Sequence, residues 1–230
     1  VRGGAHSDPH LSLPEGEWWH AELQRLLRRL PIQDPWVRRA MESVPRHWFV
    51  PARWVRQAYE DEPIPLVSGA TVSAPHMVAW QCEWLELQRG QRVLELGSGS
   101  GYLLALLAEL VGPEGKVFGI DIDPHLTEEA RRVLNRLSLG SRVQVRTGDA
   151  RDGWPEESPF DRVVVSFAAP PEEVPAWQRQ LAPGGVLLVP LEEAGKTHLV
   201  KWRAAANGWV QERGVPCQFV PMRRAGPSLL

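Results

Sequence analysis

The chain has 230 residues, 43% of them hydrophobic, with a formal net charge of -2. A chain of this size buries roughly 70% of its unfolded surface, so one domain with appendages is expected and a disordered chain is excluded. The near-neutral balance gives no electrostatic footprint for DNA or RNA, and the longest apolar run, Leu103 to Val111, is too short to span a bilayer and is interrupted by Glu109.

Residues 1–16 are polar and read as a flexible tail without the apolar segment of a secretion signal. His6 and His10 lie in that tail, but Pro9 stands between them and no Cys or carboxylate pattern completes a metal site. Glu17 to Leu30 and Asp34 to Ser43 show the spacing of two amphipathic helices, separated by Pro31 and Pro35. Val44 to Ser68 is proline-rich and expected to be extended. A helix is expected to begin at Pro75, with Met77, Val78, Trp80 and Leu85 as its apolar positions.

From Gln91 to Pro190 short β-rich runs alternate with helical ones. Arg92 to Leu96 and Lys116 to Asp121 read as strands. Tyr102 to Val111 and Pro124 to Ser138 read as the helices after them. Arg142 to Arg146, Asp161 to Phe167 and Val186 to Pro190 complete the strands, with Glu172 to Leu181 largely helical. Such alternation predicts a doubly wound α/β core with a mostly parallel sheet. His198 to Arg203 and Trp209 to Arg213 then predict an antiparallel hairpin turning at Asn207-Gly208. The expected organisation is a single domain over 17–230: a helical cap and loop over 17–74, a core over 75–190, and a β addition over 191–230. Cys82 and Cys217 form no disulfide framework or metal cluster, which suits a reducing cytoplasm.

The chemistry centres on Glu95-Leu-Gly97-Ser-Gly99-Ser-Gly101, which follows the first core strand and opens its helix. Glycines there let the backbone turn sharply and approach a ligand beside a helix N-terminus. Asp121 ends the next strand, where a carboxylate can accept hydrogen bonds from ribose hydroxyls. The dinucleotide fingerprint fails, because Tyr102 occupies the place of its third glycine. Ser98 and Ser100 lie in the loop without an identifiable base, so neither reads as a nucleophile. The glycines at every second position resemble motif I of class I S-adenosylmethionine-dependent methyltransferases. That resemblance implies a Rossmann-like fold, Asp121 on the ribose, and Gly148-Asp149-Ala150 along the adenine. From the residues alone, a loop-capping Asx turn is the alternative reading of Asp149.

A second motif, Thr71-Val-Ser73-Ala-Pro-His76-Met77, lies outside that core. Read locally, Ser73 is an N-cap candidate and His76 a polar residue of the first helical turn. The stretch is similar to the active-site loop of the protein-L-isoaspartate O-methyltransferases. Val44-Pro-Arg-His-Trp-Phe-Val-Pro51, Ala58-Tyr-Glu-Asp61, Leu181-Ala-Pro-Gly-Gly185 and Phe219-Val-Pro-Met222 resemble further segments of that family. Ala150, Val78 and Met222 depart from it, standing where Gly, a second His and Leu are common.

The resemblance implies transfer of a methyl group from S-adenosylmethionine to the free carboxylate of L-isoaspartyl residues in damaged proteins or peptides. S-adenosylhomocysteine is the product, no metal takes part, and the ester opens repair through a succinimide. It implies that Ser73 orients the substrate carboxylate and that Phe219 and Val220 hold the substrate backbone. The implied cofactor residues are Thr71, His76, Glu95, Gly97, Gly99, Gly101, Asp121, Asp149 and Ala150. Residues after Met222 are expected to matter little, and a cytoplasmic monomer with no nucleic-acid or membrane partner is expected. Two alternatives share these motifs: an aspartate carboxyl methyltransferase for one dedicated peptide, and a non-catalytic adaptor that keeps the fold.

Overall fold

The computed structural model describes residues 18–223, so the expected tail over 1–16 lies outside the described residues. Two helices come first, α1 (Trp18–Arg29) and α2 (Pro35–Ser43). Asp34 starts α2 by accepting the Trp36 N–H at 2.7 Å, and Pro35 follows at a position where its missing donor costs nothing. The buried faces, Leu23, Leu26 and Leu27 on α1 and Val37, Ala40 and Met41 on α2, match the helical period. α2 packs on α3 (Pro75–Trp84) and on α4 (Tyr102–Val111). α4 is apolar nearly all round because the sheet lies beneath it and α2 and α3 lie above.

Val44 to Ser68 is not extended, contrary to the sequence expectation. Arg46–Phe49 and Ala52–Gln57 form 3₁₀ turns, each entered from a proline, Pro45 and Pro51. Proline fixes φ near the turn value and gives up an N–H that the first turn would leave unpaired, so the prolines start turns here. Only Ile64–Pro65 (β1) is strand, paired antiparallel with Thr71–Val72 (β2).

The main sheet has seven strands: β3 (Arg92–Leu96), β4 (Lys116–Asp121), β5 (Val143–Thr147), β6 (Phe160–Val165), β7 (Leu181–Glu193), β8 (Lys196–Ala205) and β9 (Gly208–Pro216). Their order is β5-β4-β3-β6-β7-β8-β9, parallel from β5 to β7 and antiparallel beyond. Helices α5 (Pro124–Arg136) and α6 (Val174–Gln178) complete the doubly wound core. Side chains alternate strictly between faces. Val93, Val117, Val164 and Leu188 join the core under the N-terminal helices, while Leu94, Phe118, Val163 and Leu187 join the core around Trp177.

Three details differ from expectation. The helix expected over 172–181 shortens to a 3₁₀ turn at Pro171–Glu173 and the five residues of α6, because β7 already begins at Leu181. β7 also runs through Pro190 to Glu193, so the boundary expected there falls inside a strand and the β8–β9 hairpin extends the same sheet. The β8–β9 turn is Ala206-Asn207, and Gly208 is instead the first paired residue, opposite Ala205 at φ 124°. Two arginines stack on tryptophans at the surface of this core, Arg136 on Trp48 at 4.0 Å and Arg146 on Trp154 at 4.4 Å.

Candidate active site

The C-terminal ends of the parallel strands face one cavity holding about 550 Å³ of space, part of it open to solvent. Such ends, at the point where strand order reverses, are where doubly wound sheets bind ligands. The glycine loop leaves β3 here. Gly97 has φ 81°, and a Cβ on it would lie 2.6 Å from Phe167 Cδ1, so only glycine fits without displacing that ring. Gly101 has φ 82°, starts α4, and a Cβ on it would approach Ala130 of α5 to 3.0 Å.

Asp121 ends β4 and is nearly buried. Its Oδ2 accepts the Gly99 N–H at 2.8 Å, and its Oδ1 accepts the Asp123 N–H at 2.9 Å. The carboxylate thus ties the glycine loop to the next strand, while each oxygen retains a lone pair for a ligand. Burial raises its pKa, an effect these two N–H groups oppose. Ile122, Ala150, Ser166, Phe167 and Arg223 complete the walls. Trp177 Nε1–H donates to the Ala150 carbonyl at 2.9 Å and so fixes that wall. The Asp149 carboxylate accepts the Arg151 N–H at 3.0 Å and pairs with the Arg151 guanidinium, the Asx-turn role that the residues alone suggested.

A smaller polar chamber of about 360 Å³ lies between α3 and the glycine loop, lined by Thr71, Ser73, Gln81, Glu95, Ser98 and Ser166 among others. Glu95 is buried, and its Oε1 accepts the Ser166 hydroxyl at 2.8 Å. Its Oε2, like Ser98 Oγ, is buried without a partner. Burial holds the Glu95 carboxyl well above the usual carboxylate range; the Ser166 hydroxyl opposes this and the Asp121 charge adds to it. An orphaned buried carboxyl oxygen is costly and fits a ligand that brings a donor.

The third space is an open cleft of about 2150 Å³. Ser73, His76 and Met77 stand on one side, and Lys196, His198 and Phe219 also line it. Thr71 borders all three spaces, Ser73 borders the chamber and the cleft, and Val220 borders the cavity and the cleft.

The N-cap of α3 is Ala74, with no side-chain cap, so the reading of Ser73 as a cap is corrected. Asp61 does that work: its Oδ1 accepts the His76 N–H at 2.9 Å. Among the described residues the Ser73 hydroxyl has no hydrogen-bond partner, and it stands on the cleft. Of the residues expected around the cofactor, Thr71, Gly97, Gly99, Asp121 and Ala150 line the 550 Å³ cavity; Glu95 lines the chamber, His76 the cleft, and Gly101 and Asp149 none of the three spaces.

Phe219 to Met222 lies alongside the residues after β6. Ala168 N–H donates to the Val220 carbonyl at 2.8 Å, and Met222 N–H donates to the Ala168 carbonyl at 2.9 Å. The Val220 carbonyl is therefore occupied, while the Phe219 and Pro221 carbonyls have no protein partner among the described residues. Arg223, in the stretch expected to matter little, lines the cavity 4.0 Å from the Asp123 carboxylate. Sequence reasoning also missed Ile122, Ser166 and Phe167. The signal was available, since each sits just beyond the C-terminal end of a parallel strand, as Gly97 does.

A glycine loop after the first core strand, a ribose-type acid after the second, and a buried orphan carboxyl beneath them define a class I S-adenosylmethionine-dependent methyltransferase. The model of the protein-L-isoaspartate(D-aspartate) O-methyltransferase family matches residues 20–225, and the chain belongs to that family. A protein-L-isoaspartate O-methyltransferase of Hyperthermus butylicus is 42% identical over 218 residues, covering 90% of each chain. A solved protein-L-isoaspartate O-methyltransferase superposes with a TM-score of 0.76 at 28% identity, over 91% of this chain and 66% of its own. A Plasmodium falciparum member, solved in complex with S-adenosyl-L-homocysteine, gives 0.75 at 26% identity, over 88% of this chain and 97% of its own. The chain is thus an enzyme, a methyltransferase with the Rossmann-like fold the sequence led us to expect.

Proposed function

We propose that the enzyme methylates the free carboxylate of L-isoaspartyl residues in proteins and peptides, at the point where Thr71 borders cavity, chamber and cleft. That shared border carries the reading, because it brings the cavity at the strand ends and the open cleft to one residue. Asp121 and Ala150, with Gly97, Gly99 and Gly101, hold the nucleoside; Asp149 supports that wall by fixing the loop before Ala150. Glu95 offers its orphan oxygen to a donor of the amino-acid portion. When bound, S-adenosylmethionine supplies a methyl group on a sulfonium, which a carboxylate oxygen takes up in one displacement that leaves S-adenosylhomocysteine.

The chain's own residues bind and align. An aspartyl-type carboxyl has a reference pKa near ~3.9, so it arrives ionised and needs no general base. Placement can then contribute on the order of 7–11 kcal/mol. Ser73 donates its hydroxyl to the substrate carboxylate, and His76 shapes the same wall of the cleft. Phe219 and Val220 grip the substrate main chain, with the Phe219 and Pro221 carbonyls as the acceptors for its N–H groups. The resulting ester favours closure to a succinimide, whose hydrolysis returns some normal aspartate.

We place the enzyme in the cytoplasm as a monomer without nucleic-acid or membrane partners. In support, Cys82 and Cys217 are unpaired, and no described helix is long and apolar enough to cross a membrane. Large exposed apolar side chains among the described residues are few and scattered, at Trp36, Val67 and Trp209-Val210. A crystal structure with S-adenosylhomocysteine tests the site: adenosine in the 550 Å³ cavity with the sulfur facing Thr71 supports it, and adenosine elsewhere overturns it.

A further inference from the structure

Arg46 belongs to the Val44–Pro51 segment, yet none of the roles assigned above uses it. It is 1% exposed, among the largest fully buried side chains of the protein. Its Nε–H donates to the Ala58 carbonyl at 2.9 Å, and its Nη2–H donates to the Ser73 carbonyl at 2.8 Å. The guanidinium carbon lies 4.9 Å from the centre of the Tyr102 ring, on the first residue of the helix that the glycine loop opens. Nη1 is buried with no hydrogen-bond partner, and among the described residues no carboxylate touches the guanidinium, the Asp61 charge acting on it from farther off.

A buried cation with no carboxylate in direct contact and with an unused nitrogen is a poor device for stability alone. Neutral donors would join two carbonyls at lower cost. What the guanidinium achieves is geometric: one rigid planar group spans the 3₁₀ segment, the substrate loop and the cofactor helix. Three residues along the loop, Asp61 takes the His76 N–H. Between these two anchors Pro75 restricts Ala74 to an extended shape, which it adopts at φ -56° and ψ 144°. Ser73 is thereby held by its main chain, and its hydroxyl stays available to the cleft.

We propose that Arg46 is a positioning residue for methyl transfer, fixing the Ser73 main chain against the helix of the glycine loop so that the Ser73 hydroxyl meets the substrate carboxylate in register with the cofactor. The proposal rests on Ser73 being the residue that orients that carboxylate.

The test compares Arg46→Met, Arg46→Lys, Arg46→Ala, Ser73→Ala and Leu27→Ala, the last a core truncation in α1 that lines none of the three spaces. For each, kcat and KM are measured with an isoaspartyl peptide, alongside S-adenosylhomocysteine affinity and the thermal midpoint. Displacement of a reacting group by 1 Å costs about 100-fold, so kcat per folded Arg46→Met should fall by about that factor while S-adenosylhomocysteine affinity stays within about threefold. Arg46→Lys keeps the charge but not the fork and should also lose kcat. Added guanidinium ion should restore part of the rate of Arg46→Ala, whose short side chain leaves room for it, and none of the Ser73→Ala rate. Leu27→Ala should lower the midpoint and leave kcat per folded enzyme unchanged. If Arg46→Met fails to fold, Arg46→Lys decides alone. Normal kcat in a folded Arg46 variant, with kcat lost in Ser73→Ala, would overturn the role of Arg46 only. Normal kcat in Ser73→Ala would overturn the reading beneath it.

Discussion

Asp61 reaches across fifteen positions to hold His76 twice: its Oδ1 accepts the backbone N–H at 2.9 Å and lies 2.9 Å from the imidazole Nδ1. A carboxylate can only accept, so Nδ1 carries the proton and Nε2 is the ring's remaining nitrogen. The contact does for α3 what Ser73 would otherwise do, and it separates the two residues experimentally. Asp61→Ala removes a cap and should cost about 0.5–2 kcal/mol of stability. Ser73→Ala caps nothing and should stay within about 0.5 kcal/mol of the parent. On the proposed role, the variant also loses a hydrogen bond to the substrate carboxylate worth about 1.5–3 kcal/mol, and turnover should fall roughly 10- to 150-fold. Calorimetry and kinetics on the two variants check the pair, and a destabilised but fully active Ser73→Ala would restore the capping role.

Glu95 predicts a pH dependence. Its folded pKa is raised well above the unfolded value near ~4.3, chiefly by burial, so folding takes up a proton between those two values. The stability tied to this group is complete below the unfolded pKa and declines as pH rises through the folded one. Glu95→Gln mimics the protonated form and should remove that decline. Thermal midpoints of ligand-free parent and variant from mildly acidic to mildly basic pH should diverge as pH rises, with the variant higher. A constant difference across the range would mean the carboxyl titrates normally.

Asp121 predicts a change confined to the cofactor. Replacing it with Ala removes a charged acceptor worth about 1.5–3 kcal/mol per hydrogen bond and frees the Gly99 N–H. S-adenosylhomocysteine should bind at least roughly 10-fold more weakly by isothermal titration. Unchanged affinity would show that another group holds the nucleoside.

Much of this was legible because local chemistry and fold agree. Arg92 to Leu96, Lys116 to Asp121 and Tyr102 to Val111 became the elements their periodicity predicts. The glycine loop and Asp121 fell at strand ends, where their order in sequence puts them. Legibility failed where long-range contacts decide. Nothing local distinguishes Ser73 as a free hydroxyl from Ser73 as a cap, since the deciding residue, Asp61, arrives from another segment. Prolines in Val44 to Ser68 could serve an extended chain or 3₁₀ turns, and packing of Phe49 and Val55 into the core selects the turns. Arg223 had no motif to mark it, and only its approach to Asp123 places it on the cavity.

On the proposed function, the enzyme selects isoaspartate over aspartate through a grip on the peptide backbone. Both residues offer an ionised carboxylate and differ only in whether one methylene lies in the main chain or the side chain. Coulomb attraction cannot separate them; a main-chain grip at Phe219 to Pro221 with a fixed Ser73 can. The measurement is labelled methyl transfer from S-adenosylmethionine to matched isoaspartyl and aspartyl peptides, read as kcat/KM for each. Misplacement by 1 Å costs about 100-fold, so the isoaspartyl peptide should be favoured by at least about that factor. Equal methylation of the two peptides would contradict the account.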